Sequence, residues 1–280
     1  MNEVQTFVFE ELSIRGALVR LEETWQQVIA QHLYPEALRQ LLGEGVAASV
    51  LLATGLKGQP RIALQLQGDG PVKLLLAQCS GEFEVRAMAQ WRGSRQSEPL
   101  LGRGRLAVNI DGGGGQQFQG IVPLIGGPLD ACLEAYFRQS EQLPTRLYLR
   151  SGPTTAAGLL LQALPSREPD PDAFAAIGAL AATVTTDELS RLPATALLQR
   201  LFGQYSLRLF SPRPVTHDCR CTAERLANVV RMLGRAELDD LLEETGKVEL
   251  TCEFCNRSFR YDPDAVAAIL DGGAPQQPLH

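Results

Sequence analysis

Four cysteines near the end of the chain have the spacing of a structural metal site. Cys219 and Cys221 form a C-x-C pair, and after thirty intervening residues Cys252 and Cys255 form a C-x-x-C pair. Zn²⁺ is commonly held by four thiolates in a tetrahedron, and each short spacing lets one local turn supply two of them. The spacing therefore predicts one Zn²⁺ ion per chain, bound by all four cysteines.

The same four sulfurs support a redox interpretation, which the spacing leaves open. They can oxidise to two local disulfides, Cys219 with Cys221 and Cys252 with Cys255. A C-x-C disulfide closes a very small ring and should be strained, and strained, exposed disulfides are the labile or regulatory ones. The site could thus be a metal clip when reduced and a disulfide pair when oxidised.

Composition narrows the class of protein. The 280 residues, 45% of them apolar and 21% charged, leave room for one large domain and one small one. The net charge of -6 argues against a general nucleic-acid surface, which needs clustered Lys and Arg. The first residues lack the pattern of a signal peptide, and no apolar run is long enough to span a membrane. We therefore expect a cytoplasmic protein with no nucleic-acid or membrane partner.

The remaining cysteines and the histidines form no recognisable catalytic set. Cys79 and Cys132 lie in apolar surroundings and are expected to be small buried hydrophobic residues. His217 lies two residues before Cys219 and could be a ligand, but four thiolates already complete the shell and a solvated loop histidine is commoner. Only three histidines exist, and no Ser/His/Asp set is recognisable. We expect no catalytic residues and no enzyme activity.

Hydrophobic periodicity predicts an α+β fold with a mainly antiparallel sheet. In the first part of the chain the predicted helices cover 16–32, 35–53 and 129–142, and the predicted strands cover 4–9 (an edge strand), 62–67, 72–78, 82–91, 104–110, 116–123, 145–150 and 155–164. The glycine run at 111–115 lacks the endings of a phosphate-binding loop and is interpreted as a connection between two strands.

Composition also divides the chain. We predict an N-terminal α+β core domain at 1–164, a mostly helical and metastable linker at 165–214, a C-terminal four-cysteine zinc and redox-switch domain at 215–271, and a tail at 272–280. The linker contains an uncharged, alanine-rich helix, expected to dock on the core domain. Alanine buries little apolar area, so that docking should be weak.

The C-terminal domain should depend on its metal. It has fewer than sixty residues and a thin core of short helices and one hairpin. Structural Zn²⁺ contributes on the order of 10–16 kcal/mol in zinc-finger peptides, whereas a typical domain is stable by only about 5–15 kcal/mol. Because an oxidised sulfur no longer offers a thiolate, oxidation should release the metal and unfold this domain.

The cysteine pattern, with several upstream segments, resembles the heat shock protein 33 family of redox-regulated bacterial chaperones. The matching upstream segments are Leu66-Gln67-Gly68-Asp69-Gly70-Pro71, Cys132-Leu133-Glu134-Ala135-Tyr136-Phe137 with Ser140-Glu141-Gln142-Leu143-Pro144-Thr145-Arg146, and Ala156-Ala157-Gly158-Leu159-Leu160-Leu161-Gln162. The resemblance implies a reduced, zinc-bound, inactive monomer. Oxidation would join Cys219 to Cys221 and Cys252 to Cys255, and the resulting dimer would hold unfolded client proteins without ATP.

Two other functions compete with this one. A zinc-ribbon protein that binds RNA or a ribosome would share the four cysteines, but seven Lys and Arg against ten Asp and Glu between 216 and 262 weigh against it. A thiol oxidoreductase could use Cys252-Glu253-Phe254-Cys255. A thioredoxin-like site needs its C-x-x-C at the start of a helix, whereas this motif lies between two strand-like runs. The oxidoreductase therefore ranks third.

Overall fold

The computed structural model describes residues 1–58, 60–92, 100–112, 117–124, 126–165 and 170–271. The chain separates into two compact units, Met1–Asp218 and Cys219–His280. Three predicted segments lie wholly or partly outside the described residues. They are residues 113–115 of the glycine run, residues 166–169 of the linker, and the tail at 272–280. The boundaries at 164, 214 and 271 stay predictions.

The first unit contains most of the secondary structure. Its strands are β1 (Asn2–Phe9), β2 (Ile14–Leu21), β3 (Arg61–Gly68), β4 (Val72–Ser80), β5 (Glu84–Trp91), β6 (Gly104–Asp111), β7 (Gln117–Pro123), β8 (Thr145–Ser151), β9 (Ala156–Ala163), β10 (Leu207–Leu209), β11 (Arg213–Pro214) and β12 (Thr216–His217). Its helices are α1 (Glu23–Ile29), α2 (Glu36–Ala53), α3 (Leu129–Tyr136), α4 (Pro171–Ala181), α5 (Thr186–Arg191) and α6 (Ala194–Phe202). A short π-helical segment, Phe137–Glu141, continues α3.

These strands form two sheets. Sheet A has the order β10-β1-β2-β9-β8, with β11 also paired to β1, and sheet B has the order β12-β5-β4-β3-β6-β7. Neighbouring strands are antiparallel, except that β12 runs parallel to β5. The prediction of an α+β fold with a mainly antiparallel sheet is confirmed.

One predicted helix was wrong. The residues from 16 to 21 belong to strand β2, and only Glu23–Ile29 are helical. β2 lies inside sheet A, and its residues are buried on both faces, so its side chains show no alternation of apolar and polar types. A strand covered on both faces gives a continuous apolar run, which periodicity cannot distinguish from a helix.

Helix α2 forms the centre of the main core. It packs between the two sheets, and its Leu42, Val46 and Leu51 are fully buried. Gly43 is required by this close packing, because a Cβ atom there would lie 2.0 Å from the Ser151 hydroxyl oxygen on β8.

The opposite face of sheet A is covered by the linker helices α4, α5 and α6. Phe9 on β1 meets the ring of Phe202 edge-on at 5.3 Å, and the Tyr148 hydroxyl donates to the Gly178 carbonyl at 2.8 Å. In α4, only Ile177, Gly178 and Ala181 are buried. The alanine-rich helix is therefore docked on the core, as expected, and contributes a small apolar area.

The chain after α6 runs as short strands along the sheets. β10 and β11 pair with β1, so the prediction that β1 is an edge strand was wrong. Val215 is buried, and its carbonyl accepts from the Thr24 hydroxyl at 2.9 Å. The Arg213 guanidinium lies over the Phe83 ring at 4.3 Å. These contacts fix the segment that ends just before Cys219.

A half-buried carboxyl on α2 gives a pH-dependent prediction. Burial, with the nearby charge of Asp130, raises the pKa of Glu44 to about 7, although Arg150 opposes the shift. A carboxyl whose pKa is higher in the folded state stabilises the fold below its unfolded pKa and loses that contribution as pH rises through about 7. We expect Glu44→Gln to raise the free energy of unfolding at about pH 8 by up to ~3 kcal/mol.

Urea unfolding of the wild type and Glu44→Gln at several pH values measures this difference. The gain should shrink as the pH falls toward the unfolded pKa of a glutamate, because the native carboxyl is then also neutral. Glu36→Gln, at the exposed start of the same helix, is the control. A constant difference across this pH range would contradict the assignment.

The second unit has its own small core. It contains α7 (Ala223–Leu233), α8 (Arg235–Thr245), the antiparallel pair β13 (Val248–Thr251) and β14 (Ser258–Tyr261), and α9 (Pro263–Leu270). The buried apolar residues are Ala227, Val230, Leu238, Val248, Phe259, Tyr261, Val266 and Ile269. Among the residues of this unit that the structure describes, eight buried apolar side chains form a thin core, which agrees with a unit that needs additional stabilisation.

Candidate metal centre

The hairpin of the second unit positions one cysteine pair. β13 ends at Thr251, and the turn to β14 contains Cys252 and Cys255. The Asn256 N–H donates to the Cys252 carbonyl at 2.8 Å, and Asn256 has a φ of 53°. Asparagine tolerates this left-handed conformation better than most residues, so the sequence suits the tight turn that places both thiols on one side.

The other pair lies just before a helix. The Cys221 N–H donates to the Cys219 carbonyl at 2.8 Å, which bends the chain within the C-x-C motif. Thr222 then caps α7, its hydroxyl accepting from the Arg225 N–H at 3.4 Å. Helix α7 in turn contributes Ala227 to the small core, so the core holds this pair in place.

The four sulfurs lie together. The Sγ atoms of all four cysteines are within 4.8 Å of one another, with 3.6 Å between those of Cys219 and Cys252 and 3.2 Å between those of Cys221 and Cys255. Four thiolates at the usual Zn–S distance have sulfurs about 3.8 Å apart. The donor set and its spacing therefore fit a tetrahedral metal ion.

The thiols differ in acidity. Burial, together with hydrogen bonds to the other three thiols, raises the pKa of Cys219. Burial and the hydrogen bond to Cys255 raise the pKa of Cys221 to about 11, although the hydrogen bond to Cys219 opposes this shift. Burial acts the same way on Cys252, but the backbone N–H groups of Cys255 and Phe254 donate to its sulfur and hold its pKa below the usual value. The hairpin turn thus stabilises a thiolate, which is the form that binds metal.

The other candidate residues lie elsewhere. His217 is in β12, paired with Val85, and burial lowers its pKa. Among the described residues, the metal-binding cluster consists of the four cysteines alone. Cys79 and Cys132 are 0% and 4% exposed in the core of the first unit, which confirms them as buried hydrophobic residues.

Sequence reasoning missed the residues that hold the linker. Phe7 and Phe9 of β1 project from sheet A into the apolar cluster formed with the linker helices. Arg20 on β2 donates to the Leu192 carbonyl at 2.7 Å, between α5 and α6. A signal was present, because aromatic residues at i and i+2 of a strand share one face, and that face needs an apolar cover.

Comparison with known proteins decides the family. The family model described as "Hsp33 protein" matches residues 2–262. The chain belongs to the Hsp33 family. It is 40% identical over 272 residues to a 33 kDa chaperonin of Shewanella denitrificans, covering 96% of this chain and 94% of that protein. It is also 41% identical over 264 residues to a 33 kDa chaperonin of Nitrosococcus oceani, covering 93% and 91%.

The fold agrees with a solved structure from this family. The crystal structure of a 33 kDa chaperonin from Thermotoga maritima superposes with a TM-score of 0.85, at 22% identity, covering 97% of this chain and 99% of that one. The family resemblance found in the sequence is confirmed. Among the described helices, none combines the length and the apolar character needed to cross a bilayer.

Proposed function

We propose that this protein is a redox-regulated, ATP-independent chaperone that holds unfolding proteins. One observation carries the proposal: the linker helices cover an apolar face of sheet A, built from residues such as Phe7, Phe9 and Leu159, while the four clustered thiols lie in the unit that follows the linker. The relatives named 33 kDa chaperonin support a chaperone role.

In the reduced form, Cys219, Cys221, Cys252 and Cys255 would hold one Zn²⁺ ion. When bound, the ion supplies folding free energy to a unit whose own core is thin. The C-x-C and C-x-x-C turns orient the sulfurs, and the backbone N–H groups of residues 254 and 255 favour the thiolate of Cys252. The reduced protein is then a monomer with its linker docked.

Oxidation removes the donor set. Each disulfide forms from two thiols, which give two electrons to one peroxide molecule and two protons to the two water molecules produced. By family resemblance the pairs are Cys219 with Cys221 and Cys252 with Cys255. Neither pair then offers thiolates, so the second unit loses the binding free energy that keeps it folded.

Unfolding of the second unit would free the linker. Helix α4 buries only three residues, so its docking on sheet A is weak, and once the linker is released the apolar face of sheet A becomes available to unfolding client proteins. The oxidised protein would dimerise and act in the cytoplasm without nucleotide. It acts by binding and not by catalysis.

Light scattering of a heat-unfolded test protein checks this function. We expect the peroxide-treated, zinc-free protein to suppress aggregation, and the reduced, zinc-loaded protein to leave it unchanged. Zinc release is assayed in the same samples. Suppression by neither form, with zinc retained through oxidation, would show that the site is a plain structural clip.

The disulfide pairing is a separate prediction. Peptide mapping by mass spectrometry after peroxide treatment should find Cys219 linked to Cys221 and Cys252 linked to Cys255. In the folded unit, however, sulfur separations of 3.6 Å for Cys219–Cys252 and 3.2 Å for Cys221–Cys255 bring the other pairs close together. A map dominated by Cys219–Cys252 and Cys221–Cys255 would therefore show that oxidation proceeds within the folded geometry, against the proposed local pairing.

A further inference from the structure

A cationic cavity in the first unit lies outside everything assigned above. It has a volume of about 690 Å³ and lies between the loop that connects α1 to α2 and the ends of β4 and β5. Its lining includes His32, Tyr34, Lys73, Trp91 and Arg92. No carboxylate side chain is among the described residues that line it, although the whole chain carries a net charge of -6.

One wall of this cavity is a fixed pair of rings. His32 and Tyr34 stack with ring centres 5.1 Å apart and planes 29° apart. The Tyr34 hydroxyl accepts from the Ala89 N–H at 3.0 Å, and Tyr34 is only 7% exposed. The loop is therefore anchored to β5, and the wall is formed before any ligand arrives, which lowers the entropy cost of binding.

A third ring is open to solvent. Trp91 is 38% exposed at the end of β5, whereas the other tryptophan of the chain, Trp25, is fully buried in the main core. An exposed indole offers a planar apolar surface on which another ring can stack. An aromatic face beside cationic groups favours a ligand that carries both a ring and a negative charge.

Two cationic residues, Lys73 and Arg92, are part of the lining. Toward the described residues, the Lys73 ammonium donates to the Asp69 carbonyl at 2.9 Å, and an ammonium has three N–H donors. The Arg92 backbone N–H donates to the Pro71 carbonyl at 2.8 Å. This bond fixes the backbone of Arg92 beside the residue that precedes β4. Arg and Lys together are the usual partners of a phosphate group.

We propose that this cavity binds an anionic ligand with a planar ring, of the class of nucleoside monophosphates. The ring stacks on Trp91, and the phosphate meets Lys73 and Arg92. Ligand cavities generally have volumes of about 300–1,000 Å³, so the size suits one such molecule. The proposal is independent of the cysteine switch, because the cavity lies wholly in the first unit.

Calorimetric titration of the reduced, zinc-loaded, full-length protein tests the site. The probes are adenosine monophosphate, inorganic phosphate and adenosine, at low and at physiological salt. We expect the monophosphate to bind at least about tenfold more tightly than either fragment, and more weakly as salt rises. Tryptophan fluorescence should change with the monophosphate, because Trp91 is the exposed indole.

Variants identify the residues. The double variant Lys73→Gln/Arg92→Gln and the single variant Trp91→Ala should each weaken monophosphate binding about tenfold or more. Lys57→Gln removes an exposed cation outside the lining and should change affinity less than about twofold. The proposal is overturned by no binding at millimolar ligand, by phosphate alone binding as tightly, or by unchanged affinity in the double or the tryptophan variant.

Discussion

Replacing Cys252 with serine is expected to abolish zinc retention and unfold the second unit while the first unit keeps its fold. Its sulfur lies 3.6 Å from that of Cys219, and its pKa is the one held low by backbone N–H groups. A hydroxyl is a poor replacement for a thiolate ligand. The binding free energy that is lost, on the order of 10 kcal/mol, exceeds the free energy of unfolding expected for a unit with so small a buried core.

Zinc content after dialysis and an amide NMR spectrum measure the two effects. We expect a zinc stoichiometry near zero and loss of the dispersed signals of residues 219–271. Cys132→Ser is the control, because this thiol is buried in the other unit and lies outside the cysteine cluster. A Cys252→Ser protein that keeps stoichiometric zinc or a folded second unit would remove the physical basis of the switch.

Truncating Phe202 is expected to release the linker without any oxidant. Its ring is fully buried against Phe7 and Phe9, and removal of such a ring costs about 3–5 kcal/mol. Since α4 adds little apolar burial, α6 carries much of the docking. The reduced, zinc-loaded Phe202→Ala protein should therefore suppress aggregation of a test protein.

Limited trypsin digestion reports the same change. Cleavage after Arg200, whose guanidinium contacts Glu188 and Thr183 when the linker is docked, should become much faster in Phe202→Ala. Thr195→Ala changes an exposed residue of the same helix and should behave as wild type. Zinc content and circular dichroism confirm that the rest stays folded. If the linker of Phe202→Ala is released but the protein has no chaperone activity, release of the linker is not sufficient for the proposed function.

The sequence was most informative where local chemistry sets the structure. The C-x-C and C-x-x-C spacings indicate the cluster because each turn is formed by adjacent residues, and the four sulfurs do lie within 4.8 Å of one another. Asp262 followed by Pro263 is typical of a helix start, and the Asp262 carboxylate accepts from the Ala265 N–H at 2.8 Å at the beginning of α9. Both are short-range effects.

Long-range pairing was less visible. β2 was mistaken for a helix because it is buried on both faces, and its burial depends on β9 and the linker, far away in sequence. β1 was mistaken for an edge strand because β10 and β11, which cover its edge, follow it by about two hundred residues. The contacts of Tyr148 and Arg20 with the linker were not predicted for the same reason, because their partners are distant in sequence.

Hydrogen exchange followed by mass spectrometry tests the central claim most directly. It compares the reduced, zinc-loaded protein with the same protein after peroxide treatment. We predict that oxidation removes protection from α4–α6 and from residues 219–271, while the strands of sheet B, packed on α2, stay protected. Retained protection of α4–α6 after complete oxidation of the four cysteines would contradict the account, since the face of sheet A would then remain covered.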